Sequence, residues 1–248
     1  MHDPNALKAH AAEFARWSTA PDFWLADLQR GSAFLKTLST ASCKVIGHSA
    51  GQRDIVAIEY GPREDPETAC DNLQSALDAT PGTPDPTRIF PEVFYGKRRR
   101  RKPVLAIQGG IHGGELTGTV ALFNLCAIIE SGKDLRGKPW PRLQSLARAT
   151  RLLLIPWLNP DGVARSPFAH TAGLPESLAQ LSSQGIAQDG TQFTYPASKL
   201  MFPIPPEKVR YMGSYYNDAG VNLQYDFCCP ERQPETLAWM RYYLREKF

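Results

Sequence analysis

Along the N-terminal part of the chain the apolar residues keep helical time. PNALKAHAAEFARW and APDFWLADLQRGSAFLKTLS repeat aromatic and aliphatic side chains at three- and four-residue intervals, as a helix with one buried face requires. CKVIGHSAGQRDIVAIEYG then sets two β-rich arms about Ser49-Ala50-Gly51, which predicts a hairpin. Between Pro62 and Pro91 the pattern dissolves into a polar, proline-rich stretch, read as a surface excursion with one short helix near Cys70–Ala79.

From Pro103 the alternation becomes that of strand and helix. PVLAIQGG is an unbroken apolar run of strand length, and TGTVALFNLCAIIESG is a helix apolar on most faces with Gly132 as its stop. PRLQSLARAT predicts a further helix, and RLLLIPWLNPDG a second buried strand that closes in a turn. Unbroken apolar strands separated by helices imply an α/β fold: a doubly wound, mixed but mostly parallel sheet with helices on both faces. Ser166 to Lys208 reads as loop, before AGVNLQYDF and a closing helix, PETLAWMRYYLREKF. That helix carries Trp239, Tyr242 and Tyr243 and runs to Phe248 with no strand after it, so the sheet reads as lacking its C-terminal strands. The expected organisation is a helical segment over residues 1–40 and an incomplete α/β domain over 41–248.

Composition narrows the function classes. A hydrophobic fraction of 42% excludes a largely disordered chain, and a net charge of +3 produces no field that points to nucleic acid or an anionic membrane. MHDPNALKAHAAEFARW lacks the apolar core of a signal peptide, and no apolar run is long enough to span a bilayer. The five cysteines follow no regular spacing, and adjacent Cys228 and Cys229 are too cramped for an ordinary disulfide. Cys126 reads as core. A reduced, cytoplasmic setting follows as the simpler expectation. The basic run Lys97 to Lys102 fits a solvated loop or a nucleic-acid patch; without aromatic interleaving, the loop is the expectation. No nucleic-acid or membrane partner is expected, and nothing indicates an oligomeric state.

The chemistry concentrates in LAIQGGIHGGELTGTVALFNL, where His112 and Glu115 stand three residues apart as strand gives way to helix. Zinc takes nitrogen and oxygen ligands at about 2.0–2.2 Å, so ligands this close in sequence converge only if the backbone turns between them. Strand ends at the carboxyl edge of a parallel sheet supply that turn. Gly109, Gly110, Gly113 and Gly114 would remove Cβ atoms that crowd an ion or forbid positive φ. The other reading of the pair is a loop histidine and a glutamate near a helix N-terminus, where negative charge is favoured in any case.

The order strand–HGGE–helix–strand–NPDG–loop–GVNLQYDF–PET–helix resembles the zinc metallocarboxypeptidase family, the carboxypeptidase A-like peptidases, from about Gly47 to Phe248. The resemblance implies zinc as cofactor, His112 and Glu115 as two of its three protein ligands, and amide hydrolysis that releases C-terminal residues from a peptide. It places the third ligand histidine and a catalytic glutamate after the closing helix, so the chain is expected to be truncated before both. It implies an arginine that stabilises the oxyanion, for which Arg210 is the best match and Arg165 the second. It sets Asn222 where the family has an aspartate that orients the ligand histidine, and Gln224-Tyr225 where the family binds the substrate carboxylate with an Asn-Arg pair.

Tyr225 cannot offer the bidentate fork of a guanidinium. Two alternatives to the exopeptidase therefore stand: an amidohydrolase acting on N-acyl amino acids, and a catalytically inactive domain that binds peptides. His170, just past NPDG, is the one other candidate ligand; His2, His10 and His48 read as ordinary surface residues. Asp161 is expected to fix the NPDG turn by an Asx-type hydrogen bond.

Overall fold

A strand covered on both sides must be buried at every position, and Arg151–Ile155 (RLLLI) is. A computed structural model describes residues 16–63, 102–200 and 202–246. Its helices are α1 (Leu28–Leu35), α2 (Thr117–Ser131), α3 (Pro141–Arg148), α4 (Pro160–Arg165), α5 (Glu176–Gln184), α6 (Leu223–Asp226) and α7 (Pro234–Glu246). Its strands are β1 (Ser42–His48), β2 (Asp54–Tyr60), β3 (Val104–Gln108), β4 (Arg151–Ile155), β5 (Gly185–Ala187) and β6 (Val209–Met212).

The principal sheet runs β1-β2-β4-β3. Successive β4 residues face opposite ways, as the pleat dictates. Leu152 and Leu154 meet Leu122, Cys126 and Ile129 of α2, with Ala147 of α3 and Phe34 and Leu35 of α1 packed alongside. Leu153 and Ile155 meet Ala238 and Tyr242 of α7 together with Ile55 and Ala57 of β2. The α/β class, the mixed sheet and the helices on both faces are as expected. Parallel pairing is scarcer than expected among these strands: β3 runs parallel to β4, whereas β1–β2 and β2–β4 are antiparallel. The cause is the β1–β2 hairpin, which returns β2 to lie against β4 in the opposite sense.

Local expectations hold where the signal is a stop or a continuous run. α2 ends at Gly132, whose φ of 81° is left-handed and whose N–H bonds Ile128 O at 2.8 Å. Cys126 is fully buried, and the four described cysteines, Cys43, Cys126, Cys228 and Cys229, are free. Two expectations are corrected. NPDG is the start of a helix, not a turn: Asn159 caps α4 by accepting Gly162 N at 2.9 Å, with Pro160 in the first helical turn. The stretch from Ser166 to Lys208 holds α5, β5 and 3-10 turns at Ala197–Leu200 and Pro206–Lys208. α5 escapes pattern reading because ESLAQLSSQ buries Ser182 and Gln184, polar residues that give no apolar stripe.

The helix expected near Cys70–Ala79, most of the first expected helix and Lys97 to Arg101 lie outside the described residues. Lys102 donates to Arg148 O at 3.2 Å. Among the described residues no helix is long and apolar enough to cross a membrane.

Candidate metal centre

The segment between β3 and α2 is held by backbone on three sides. Gly109 N bonds Ile155 O at 2.8 Å, Leu158 N and Asn159 N return to Gly109 O and Gly110 O, and Gly113 N bonds Ser214 O at 2.8 Å. His112 is thereby fixed where the ends of β3 and β4 meet the chain that follows β6. A Cβ on Gly113 would lie 2.0 Å from Gly162 C and 2.2 Å from Val163 N, and one on Gly109 would lie 3.0 Å from Pro156 O. Gly110 adopts φ +61°. Gly113 and Gly109 make room for backbone against backbone, Gly110 supplies the positive φ expected of it, and a Cβ on Gly114 would lie 2.7 Å from Ser214 Oγ. Gly113→Ala is therefore expected to cost about 1–3 kcal/mol by overpacking, read as a lowered midpoint in thermal unfolding.

His112 is 9% exposed. Its Nδ1 stands 3.2 Å from Glu115 Oε1, and its Nε2 is 3.3 Å from Asn222 Oδ1. Asn222 caps α6, and its Oδ1 also accepts Gln224 N at 3.0 Å, which marks that atom as the oxygen. Nε2 is then the protonated nitrogen and Nδ1 faces the carboxylate. Tyr215 stacks on the imidazole, with centroids 3.8 Å apart and planes 4° from parallel, and its hydroxyl donates to the same Glu115 oxygen. The hydrogen bond from His112 holds the Glu115 carboxyl below its usual pKa; partial burial opposes this and the Tyr215 hydroxyl adds to it. Burial, then the adjacent carboxylate, pushes the Tyr215 phenol well above its usual range. At neutral pH Glu115 is an anion and Tyr215 a neutral donor.

Two ligand atoms each about 2.1 Å from a tetrahedral zinc stand about 3.4 Å apart. The Nδ1–Oε1 separation matches that spacing. With Nε2–H given to Asn222, Nδ1 is left to the carboxylate, which it meets either by donating a second ring proton or by sharing a cation with it. His112 and Glu115 thus fit the ligand chemistry of a divalent ion. Among the described residues no group of three or more His, Cys, Asp or Glu side chains is placed to share an ion. His170 does not join the pair: the residue before it is tied to the N-terminal segment, Ala169 N to Trp17 O and Trp24 Nε1 to Ala169 O, each at 2.7 Å. His48 pairs with Asp54 at 3.0 Å on the exposed hairpin, and His2 and His10 lie outside the described residues.

Asn222, Gln224 and Tyr225 all border one cavity of about 400 Å³, which Tyr215 and Lys199 also line. The short helix α6 thus presents the three polar positions singled out in sequence to the same hollow. Arg210, on β6, is exposed, and no hydrogen bond or ion pair joins it to His112, Glu115 or Tyr215 among the described residues. Arg165 is committed elsewhere, to Asp218 and to Tyr216 O. Tyr215 was not legible beforehand. It acquires its place because Tyr216 and Asn222 bridge, folding SYYNDAG back on itself.

Asp161 is also corrected: Asn159 makes the local cap, while Asp161 reaches across to the β1–β2 turn. It accepts Ser49 Oγ at 2.5 Å, Gly51 N at 2.9 Å, Arg53 Nη1 at 2.8 Å and Asp218 N at 3.0 Å.

Fold and site together define an α/β protein that carries a His–Glu pair, His112 and Glu115, between strand β3 and helix α2. The chain belongs to the zinc carboxypeptidase family, whose sequence profile matches residues 33–173, more than half of its length. Carboxypeptidase Z of Gallus gallus is 39% identical to it over 71 residues, 29% of this chain and 10% of that protein. Among solved structures, a metallo-carboxypeptidase from Burkholderia cenocepacia aligns with TM-score 0.46 and 18% identity over 88% of this chain and 38% of its own. Thrombin activatable fibrinolysis inhibitor aligns with TM-score 0.46 and 12% identity over 94% of this chain and 50% of its own. The chain therefore spans a tenth of the curated relative and half or less of these solved chains.

Proposed function

We propose that this chain carries two metal ligands of a zinc-dependent amide hydrolase that, in its complete form, releases C-terminal residues from peptides. The observation that carries the reading is the His112–Glu115 pair, oriented by Asn222 and spaced as two ligands of one ion are. Bound there, zinc would supply a Lewis acid for the scissile carbonyl and lower the pKa of a water. Asn222 holds the imidazole in the tautomer that leaves Nδ1 free to ligate. Tyr215 walls one face of the ring and keeps Glu115 ionised. Gln224 and Tyr225 line the hollow in which a peptide would lie. Of the two arginines suggested for the oxyanion, Arg210 is the freer, since Arg165 is held by Asp218.

The test is a zinc titration of the 248-residue chain against a chromophoric chelator. One equivalent is expected to bind, weakly enough that the chelator holds most of the metal at equal concentration, because two protein ligands leave the rest of a tetrahedral shell to water. Asn222→Ala is expected to weaken binding by about 10- to 100-fold, as losing the partner of a ligating histidine does. His112→Ala is expected to abolish it, and zinc uptake by that variant equal to the wild type would overturn the assignment.

A second reading, hydrolysis of N-acyl amino acids, is favoured by Tyr225 at the cavity wall, where the resemblance sets an arginine. Assays of the complete protein on C-terminally free and blocked peptides separate the two. Equal rates on both favour the second.

A further inference from the structure

The cavity beside His112 contains one charged side chain among the described residues that line it, and it is a cation. Lys199 follows Ser198 in the 3-10 turn Ala197–Leu200. Its Nζ lies 4.8 Å from the centroid of the Tyr195 ring and 5.0 Å from that of Tyr225. Two aromatic faces on different segments thus hold a flexible ammonium over one spot, at separations where the ring quadrupole attracts a cation. No carboxylate forms a salt bridge with it among the described residues. Hydrogen bonding to Tyr195, then to Tyr225, raises its pKa, so the group stays charged. On the wall of the same hollow are Tyr215 and Asn222, both of which touch His112. A positioned cation with no carboxylate partner among the described residues, lining the same hollow as Tyr215 and Asn222, is arranged to receive an anion.

We propose that Lys199, held between Tyr195 and Tyr225, recognises a carboxylate of the substrate and so sets specificity at this site. The proposal rests on the peptide-hydrolase reading for its substrate class. A carboxylate is favoured because peptides and N-acyl amino acids both carry one, at the chain terminus or on an acidic side chain. The ammonium is a point charge and needs no bidentate geometry. Gln224, on the same wall, offers an amide that can donate to a second carboxylate oxygen.

The test measures equilibrium binding by fluorescence anisotropy, using the full chain and three labelled peptides of one apolar sequence. The first has a free C-terminus, the second is amidated, and the third is amidated with one internal glutamate. The wild type is expected to bind one or both carboxylate-bearing peptides about five- to tenfold more tightly than the neutral one, the scale of one charge-assisted contact near a surface. Whichever of the two is preferred identifies the carboxylate as terminal or side-chain. Lys199→Met is expected to remove that preference and Lys199→Arg to keep most of it, with thermal midpoints unchanged because Lys199 is exposed.

No binding, no preference for either carboxylate, or a preference that survives in Lys199→Met overturns the proposal. The zinc titration fails or succeeds separately: a chain that takes up no zinc yet loses its carboxylate preference in Lys199→Met upholds the Lys199 site and removes the metal reading alone.

Discussion

Asp161→Ala is expected to lower the unfolding free energy by about 3–5 kcal/mol at pH 7, the range for removing one partner of a buried, hydrogen-bonded ion pair. Asp161 is 0% exposed, and its two oxygens accept from the Ser49 hydroxyl, the Gly51 and Asp218 amides and the Arg53 guanidinium. Truncation leaves these donors facing a cavity. Arg53 keeps a second partner in Asp218 at 2.8 Å, which places the loss toward the lower end of the range. Burial works to raise the Asp161 pKa; the Ser49 hydroxyl, the two amides and Arg53 outweigh it, and the folded value lies below the usual 3.8. The sign follows from linkage. This stabilisation is present above the unfolded pKa and is lost as pH falls through the depressed folded one.

Urea unfolding of wild type and variant followed by tryptophan fluorescence checks the magnitude. A difference under about 1 kcal/mol at pH 7, as for an ordinary exposed salt bridge, would contradict this role of Asp161. A second consequence reaches the metal centre. Asp161 anchors Asp218, which lies between Tyr215 and Asn222, so the variant is also expected to bind zinc more weakly.

What was legible in the sequence, and what was not, divides along a physical line. β3, β4, α2 and its stop at Gly132 were readable because continuous apolar runs and a left-handed glycine are properties of neighbouring residues. His112 and Glu115 were readable for the same reason, three residues apart on one turn. Asn222 was placed through the resemblance and lands on the imidazole. Tyr215, Lys199 and the reach of Asp161 to Ser49 and Gly51 depend on contacts between segments far apart in the chain, and no local spacing encodes those. A missing Cβ announces that something approaches closely, and the sequence does not say that the neighbour of Gly113 is the backbone of α4. α5 was lost because its buried side chains include a serine and a glutamine, which no apolar period registers.

Raising the pH from about 5 to 8 is expected to reduce stability through Glu235, by up to roughly 3 kcal/mol, and Glu235→Gln is expected to remove that component. Glu235 lies in the first turn of α7, where the helix dipole favours a carboxylate. It is nonetheless fully buried, accepting Ala50 N at 2.9 Å and approached by Asn217 Nδ2 at 3.2 Å from both oxygens. Burial is the largest influence and pushes its pKa up to about 7; the Ala50 hydrogen bond opposes this, and the negative charge of Asp161 adds to it. A carboxyl with a raised folded pKa is stabilising in its protonated form. Between the unfolded value near 4.5 and the folded value near 7 the native state binds the extra proton, so stability falls as pH rises across that window. The quantity to measure is the difference between wild type and Glu235→Gln in urea unfolding at pH 5 and at pH 8. The variant is expected to gain on the wild type as the pH rises. A difference that stays constant, or that moves the other way, would show Glu235 ionised in the folded chain at both pH values, with the dipole and hydrogen bonds prevailing over burial. Asp161 and Glu235 grip the same hairpin turn through adjacent amides, Gly51 N and Ala50 N, one as an anion and the other as an acid. The stability that these two carboxyls contribute together is therefore greatest at mildly acidic pH, where Asp161 is charged and Glu235 is not.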